Sequence, residues 1–574
     1  MTWDLRAELK ETLKKEQGYY RHPVGGRNRF ALVYPNSYHV GMSNLGFHIV
    51  YDLLNRRHDT ACERVFLPDS KLMERYAKTS TPIMSLETQT PLYEFAMIGF
   101  AISFERDYFN VLKILEMGKV KLLAKERGEM DPVVIAGGPC ATFNPEPLSL
   151  FFDAFIVGEG EAILPQFMDV CHQARLEGMS RDVLLHRLAK IHGVYVPSLY
   201  DHRYNENGQV SEIIPMGDAP LEVKRQWVRN LDEYPAHTIV HTENTEFQMY
   251  LIETARGCGR HCRFCMAGYC FRKPRNRSLS VLKEEVKKAV PYGKRIGLMG
   301  AAISDYPEID ELCRYILEMG LDMSVASFRA DSVTKELVQA LAASGLKTLT
   351  LAPEAGSERI RSVINKGIHE EHLMQAMDLG IEAGIQNYRM YLMIGLPFEQ
   401  EEDIAAIVDL AGRLQEHMRE KGCKGLLTLS INPFIPKPFT PFQWLPMASK
   451  EKIEKSLKFI KDAFKKSKHV RIIAESPREA CVQAVLARGD RRISKALLKA
   501  HEKGGSKAWN QAMKSEGLSA SDYIYRMWEK DEVFPWACLN MGVREEYLYL
   551  ELEKAKALKF TQQCFDGCNR CGVC

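Results

Sequence analysis

The chain has 574 residues, 45% of them hydrophobic and 26% charged, with 77 basic and 74 acidic side chains for a net charge of +3. It is too long for one hydrophobic core, too apolar for disorder and too evenly charged for a nucleic-acid footprint over the whole molecule, so three or four folded units are expected. The opening text MTWDLRAELKETLKKEQGYY lacks the apolar core of a signal peptide, and no later run reaches the ~20 apolar residues of a membrane span. The expected address is therefore cytoplasmic, with no membrane partner.

Residues 1–28 read as an N-terminal helical segment. From 29 to 175, the apolar runs RFALVYP, CERVFLP, AMIGFAIS, PVVIAGG and FDAFIVGEGE alternate with helical stretches near 42–56, 69–78 and 107–117. That alternation predicts an α/β fold: a doubly wound, Rossmann-like domain on a parallel sheet. Such sheets bind ligands outside the carboxyl ends of their strands. Candidate cofactor contacts are therefore Gly41 in GMSNLG, Gly137 and Gly138 in GGPCATFNPEP, and Gly158 with Glu159 in GEGE. The alternative for each is an ordinary tight turn.

Residues 176–245, with the Asn-Gly turn signal in HRYNENGQVSEI, read as a hairpin-bearing connector. From 246 to 445 a second series follows: QMYLIETARGC, RIGLMGAAISDYP, MSVASFRADS, TLTLAPEAG, YRMYLMIGLP and LLTLSINPFIPKP, with amphipathic helices between. Six strands separated by helices predict a partial (β/α)6 barrel, whose chemistry sits on the loops after the strands. Residues 446–560 read as mainly helical, and 561–574 as a Cys-rich tail.

Fifteen cysteines in a large chain without a signal peptide suggest metal ligands, catalytic thiols or buried apolar residues rather than disulfides. Seven fall in two tight sets. Cys258-x3-Cys262-x2-Cys265 follows an apolar strand, so three thiolates can converge on one cluster and leave a fourth iron open for a ligand; a zinc site completed by His261 or Cys270 is the alternative. Cys564, Cys568, Cys571 and Cys574 have the close spacing that wraps a 4Fe–4S cube, with zinc or relay thiols as alternatives. Two basic clusters, Arg272 to Arg277 and Lys461 to Lys468, read as solvated faces or as a loop beside an anionic cofactor.

The first set, in its context, resembles the radical S-adenosylmethionine (SAM) superfamily, whose hallmark is a CxxxCxxC loop after the first barrel strand. The resemblance implies that Phe264 flanks the adenine of SAM, that Gly300 in LMGAA holds its amino group, and that Ser327, Arg329 and Glu354 at strand ends face its carboxylate and ribose. It further implies that Ile394 and Gly395 in YLMIGLP meet the adenine through backbone. For the strand-end Ser, Arg and Glu, helix capping is the alternative.

The N-terminal text is similar to the cobalamin-binding domain that precedes the barrel in one large radical SAM subgroup, through AGGPCATFNPEP and DAFIVGEGE. It departs from a well-known version of that domain. The Asp-x-His-x-x-Gly signature is absent, and His39 in PNSYHVGMSN stands only one residue before Gly41, so bound cobalamin is expected to lack a histidine ligand. The whole chain also resembles an uncharacterised bacterial family of cobalamin-domain radical SAM proteins, through GMSNLG, CERVFLP, NPFIPKPFTPFQW, the ARGDRR segment at 487–492 and the CGVC terminus. Many members carry an extra C-terminal domain, whose contribution here would come from a separate chain or be dispensable.

The resemblance implies reductive cleavage of SAM to a 5′-deoxyadenosyl radical and cobalamin-dependent methyl transfer to an unactivated carbon. A one-electron donor such as flavodoxin or ferredoxin would supply the electron. The alternatives are sulfur insertion or methylthiolation of RNA or protein using the tail cluster, and, outside enzymes, a cobalamin or redox sensor. ARGDRR could clamp an anion through Arg488, Arg491 and Arg492 or form ion pairs, including one with Asp490.

Overall fold

The computed structural model describes residues 2–23, 25–293, 295–326 and 328–573. The N-terminal sheet contains β1 (Asn28–Tyr34), β2 (Thr60–Phe66), β3 (Met97–Ala101), β4 (Val133–Gly137), β5 (Ala154–Ile156) and β6 (Val194–Tyr195), in the order β2-β1-β3-β4-β5-β6. The first five strands are parallel and β6 is antiparallel to β5. Helices cover both faces, which is why β1 and β2 are buried almost end to end instead of alternating. The order reverses between β1 and β3, and that switch point is where such a sheet opens a crevice.

The connector carries the expected hairpin, β7 (Tyr200–Tyr204) against β8 (Val210–Pro215), and a short β9 (Val223–Lys224). The barrel begins with β10 (Met249–Glu253), followed by the small antiparallel pair β11 (Ala255–Arg256) and β12 (Arg275–Asn276) that brackets the cysteine loop. Strands β10, β13 (Arg295–Met299) and β14 (Met323–Val325) form one parallel sheet. A single bridge from Phe328 to Leu351 links it to β15 (Thr348–Glu354), β16 (Asn387–Ile394), β17 (Leu427–Pro433) and β18 (Val470–Ala474), also parallel. The six expected strands form, and β18 adds a seventh from a stretch read as helical.

Burial in β15 and β16 alternates strictly. Leu349 and Tyr388 face the helix Glu370–Glu382, where a Cβ on Gly380 would meet both. The opposite, inner face of these two strands is only half-buried, so the lumen there is not filled with side chains as in a closed barrel. The region after β18 is helical, through Pro477–Arg488, Arg492–Glu502 and Glu545–Lys556, apart from β19 (Leu539–Asn540), which pairs in parallel with β9. Among the described residues no helix is long and apolar enough to cross a membrane.

The ARGDRR side chains make internal pairs. Arg488, fully buried, donates to the carbonyls of Tyr523 and Leu445 at 2.8 and 2.9 Å, Arg491 pairs with Glu146, and Arg492 pairs with Asp490 at 2.6 Å.

Candidate functional site

Cys258, Cys262 and Cys265 lie in the loop between β11 and the short helix Ala267–Cys270. Each sulfur has a donor nearby. The Arg260 amide lies 3.4 Å from the Cys258 sulfur, Arg329 Nη1 lies 3.9 Å from that of Cys262, and the amides of Ala267 and Gly268 serve Cys265. Burial and the neighbouring thiols push Cys265 up to about 12 and raise Cys258, so ionising these two without a counter-charge is disfavoured. Around the loop, Arg260 pairs with Asp305 and Asp331 at 2.8 and 3.2 Å, and Arg329 shares Asp331 at 3.0 Å.

His261 and Cys270 do not complete this set. Cys270 is fully buried on the helix, and His261 turns toward Tyr547, Arg272 and Cys564. Among the described residues no three His, Cys, Asp or Glu side chains gather on one ion-sized point.

A cavity of about 550 Å³ between the two α/β units reaches the two ends of the loop, at Gly257 and Ala267. Its N-terminal wall comes from the segments after β1, β3, β4 and β5, including Asn44, Ser103, Gly137 and Gly160; its barrel wall includes Phe271, Met299 and Gly300. Arg256 bolts the junction by pairing with Glu159, Glu161 and Glu253 at 2.9–3.0 Å. No histidine is among the described lining residues. His39 is instead 3.2 Å from Asn244, and His48 is bonded to the Met42 carbonyl.

The candidate residues divide. Gly137, Gly138, Gly158, Glu159 and Gly300 line the cavity. Gly41 does not: it ends the helix Tyr38–Gly41 and packs beneath Phe66, where a Cβ would come within 2.6 Å of the ring, while Ser43 to Gly46 of the same segment reach the cavity. The glycines at 138 and 158 serve the fold, since a Cβ would strike the Ile102 carbonyl at 2.7 Å and the Gln226 carbonyl at 2.1 Å. Glu159 is tied up by Arg275 at 2.6 Å and by the Val228 amide at 2.9 Å.

At the strand ends, Arg329 stands beside Cys262, and Glu354 pairs with Lys366 at 2.9 Å. Ile394 is fully buried, the Gly395 amide is taken by Glu399 at 2.8 Å, and Phe264 is half-buried beside the core. Ser327 and Cys574 lie outside the described residues. The Lys461 to Lys468 cluster is solvated, but Arg272, Arg275 and Arg277 are buried. Arg256, Arg272 and Lys366 carry no motif, and only their distant partners reveal them.

Residues 46–197 match the family described as radical SAM proteins, N-terminal, and residues 252–411 match the radical SAM superfamily. An uncharacterized protein of Methanocaldococcus jannaschii is 32% identical over 474 residues, 81% of this chain and 90% of its own length. The chain belongs to the radical SAM superfamily. It is also similar to an uncharacterized methyltransferase of Pyrococcus horikoshii, 26% identical over 49% of this chain and 58% of that one. A putative methylthiotransferase of M. jannaschii is 26% identical over 51% of this chain and 61% of its own. Membership in the radical SAM superfamily implies a 4Fe–4S cluster and SAM. The residues fit: of the three loop thiols Cys262 is buried and Cys258 and Cys265 are half-buried, and all three lie beside N–H donors, an environment that suits thiolates bound to cluster irons.

Proposed function

We propose that this radical SAM enzyme holds cobalamin in its N-terminal domain and transfers a methyl group to an unactivated carbon. The observation that carries the reading is the shared cavity, in which the switch point of the N-terminal sheet faces Gly300 and the cysteine loop across about 550 Å³. When bound, the reduced cluster supplies the electron that splits SAM into methionine and a 5′-deoxyadenosyl radical, and the corrinoid supplies a methyl group. The chain's own residues bind and orient. Cys258, Cys262 and Cys265 would hold the cluster, and Gly300 leaves bare backbone on the barrel wall. Arg329 is held by Asp331 and the Lys366 carbonyl, and its Nη1, 3.9 Å from the Cys262 sulfur, would meet an anionic group such as the SAM carboxylate. Phe271 and Met299 exclude water from the space between the two cofactors. The described lining residues include no histidine for the cobalt, in keeping with the missing signature.

Methylthiolation is a second reading, favoured by the tail thiols packed against the cluster loop: the Cys564 amide bonds the Gly259 carbonyl at 2.8 Å. The test is anaerobic reconstitution with iron, sulfide and cobalamin, followed by corrinoid content and 5′-deoxyadenosine release with SAM and a strong reductant. About one cobalamin per chain with nucleoside release is the expected result. Release without retained cobalamin sinks methyl transfer, sulfur in the product turns the assignment to methylthiolation, and no nucleoside at all favours a cofactor sensor.

A further inference from the structure

Among the described C-terminal cysteines, Cys564 packs directly against the loop that carries Cys258, Cys262 and Cys265. The amide of Cys564 bonds the Gly259 carbonyl at 2.8 Å, which fixes the tail against the loop backbone. Arg272, only 1% exposed, is clasped between the two cysteine sets. Its Nη1 donates to the Cys564 sulfur at 3.3 Å, its Nη2 to the Arg260 carbonyl at 3.2 Å and to His261 Nδ1 at 3.0 Å, and its Nε to the Gly268 carbonyl. It also reaches the thiol of Cys571.

The imidazole is oriented by the same contacts. A guanidinium only donates, so His261 Nδ1 is the acceptor and the ring proton sits on Nε2. That nitrogen faces the Cys564 sulfur at 3.7 Å, and the Tyr547 hydroxyl donates to Nδ1 at 2.8 Å. Arg570 Nε lies 3.2 Å from the Cys568 sulfur. Cys568 and Cys571 are themselves buried, at 3% and 1% exposure. The three described tail sulfurs are thus each met by a cation, the setting in which hydrogen bonds tune cluster thiolates.

We infer that Cys564, Cys568 and Cys571, for which the sequence supplies Cys574 as a fourth thiol, hold a second 4Fe–4S cluster that passes electrons to the SAM-cleaving one, with His261 and Arg272 as positioning residues between them. The inference rests on the radical SAM reading of the first cluster. The step moves one electron and no atoms: a low-potential carrier protein is oxidised, the tail cluster is reduced from 2+ to 1+, and it returns to 2+ as the first cluster goes from 2+ to 1+. The tail surfaces at Leu558, Phe560 and Phe565, which are 45%, 64% and 61% exposed, an apolar rim beside the exposed Lys559 that suits docking of a carrier protein.

The test uses the reconstituted full chain, a Cys564→Ser/Cys568→Ser double variant, His261→Phe and Arg272→Lys. Iron and zinc content are measured, and freeze-quenched electron paramagnetic resonance follows reduction of the first cluster by flavodoxin hydroquinone in the presence of SAM. The parent is expected to hold about eight irons and the double variant about four, with the SAM-perturbed signal of the first cluster kept. His261→Phe should retain about eight irons but slow that reduction by about tenfold or more, with Arg272→Lys between. Zinc in place of the second set of irons overturns the cluster. A double variant reduced at the parental rate overturns the relay, and unslowed His261→Phe overturns the positioning role. A parent with two clusters and a fast relay but no 5′-deoxyadenosine would sink the SAM-cleavage reading and leave this one standing.

Discussion

Glu146 and Arg491 meet across 345 residues of sequence, with Nε of the arginine 2.9 Å from Oε2 of a carboxylate that is fully buried. Tyr195 donates to the same carboxylate, so this one group ties the N-terminal sheet to the C-terminal helices. Removing one partner of a buried pair leaves an uncompensated charge, and Arg491→Met should cost about 3–5 kcal/mol. Burial alone would push the Glu146 carboxyl up, but Arg491 and His202 hold it below the ordinary range. Its stabilisation is therefore present above the unfolded value of about 4.3 and lost as pH falls through the lower folded value. Denaturation of parent and variant at pH 7 and pH 3 should show the gap narrowing in acid; a constant gap would mean that Glu146 is not the group titrating.

Glu399 runs the opposite way. Burial pushes its carboxyl up to about 7, despite bonds from the amides of Gly395 and Leu396 at 2.8 and 3.4 Å. The unfolded chain ionises this group near about 4.3 while the fold holds the proton, so stability falls as pH rises between the two values. Glu399→Gln removes the charge and keeps one acceptor oxygen, enough for the shorter bond from the Gly395 amide. It should match the parent at pH 4 and exceed it by about 1–3 kcal/mol at pH 8, as read by chemical denaturation; parallel pH profiles would sink the assignment.

What was legible in the sequence was what local pattern encodes. Parallel strands covered on both faces must read as continuous apolar runs, and RFALVYP and PVVIAGG became β1 and β4. The cysteine loop was legible because its spacing is its chemistry. β18 was not, because the edge strand VRIIA is half-exposed, short and set in Lys-rich helical text. The run Arg272 to Arg277 misled for a related reason: its charges look solvated, yet Arg275 bonds Glu159 from 116 residues away and Arg272 bonds Cys564 from 292 residues away. Gly41 was set aside from the cavity by a single helical turn that no glycine pattern announces.

Cys258→Ala separates the two cofactors of the proposed mechanism. The thiol lies in the loop and not in the N-terminal wall, so its loss should remove about four irons and abolish 5′-deoxyadenosine release while about one corrinoid per chain stays bound. Iron, corrinoid and nucleoside assays on one preparation check this. Loss of both cofactors together, with a collapsed thermal transition, would indicate unfolding instead.

Adjacent glycines at the cavity rim should fail in different ways. Gly138 has φ of +95° and no room for a Cβ beside the Ile102 carbonyl, so Gly138→Ala should cost about 1–3 kcal/mol of stability before any ligand is considered. At Gly137 the only neighbour of an added Cβ is Ile156 at 3.7 Å, an ordinary contact, and the residue lines the cavity. Gly137→Val should therefore leave the thermal midpoint nearly unchanged while lowering cobalamin retention, because the branched side chain fills space on the ligand side of the wall. Calorimetry of the ligand-free chain and corrinoid absorbance after gel filtration separate the two effects. Full cobalamin retention in a stable Gly137→Val protein would place the corrinoid away from the end of β4.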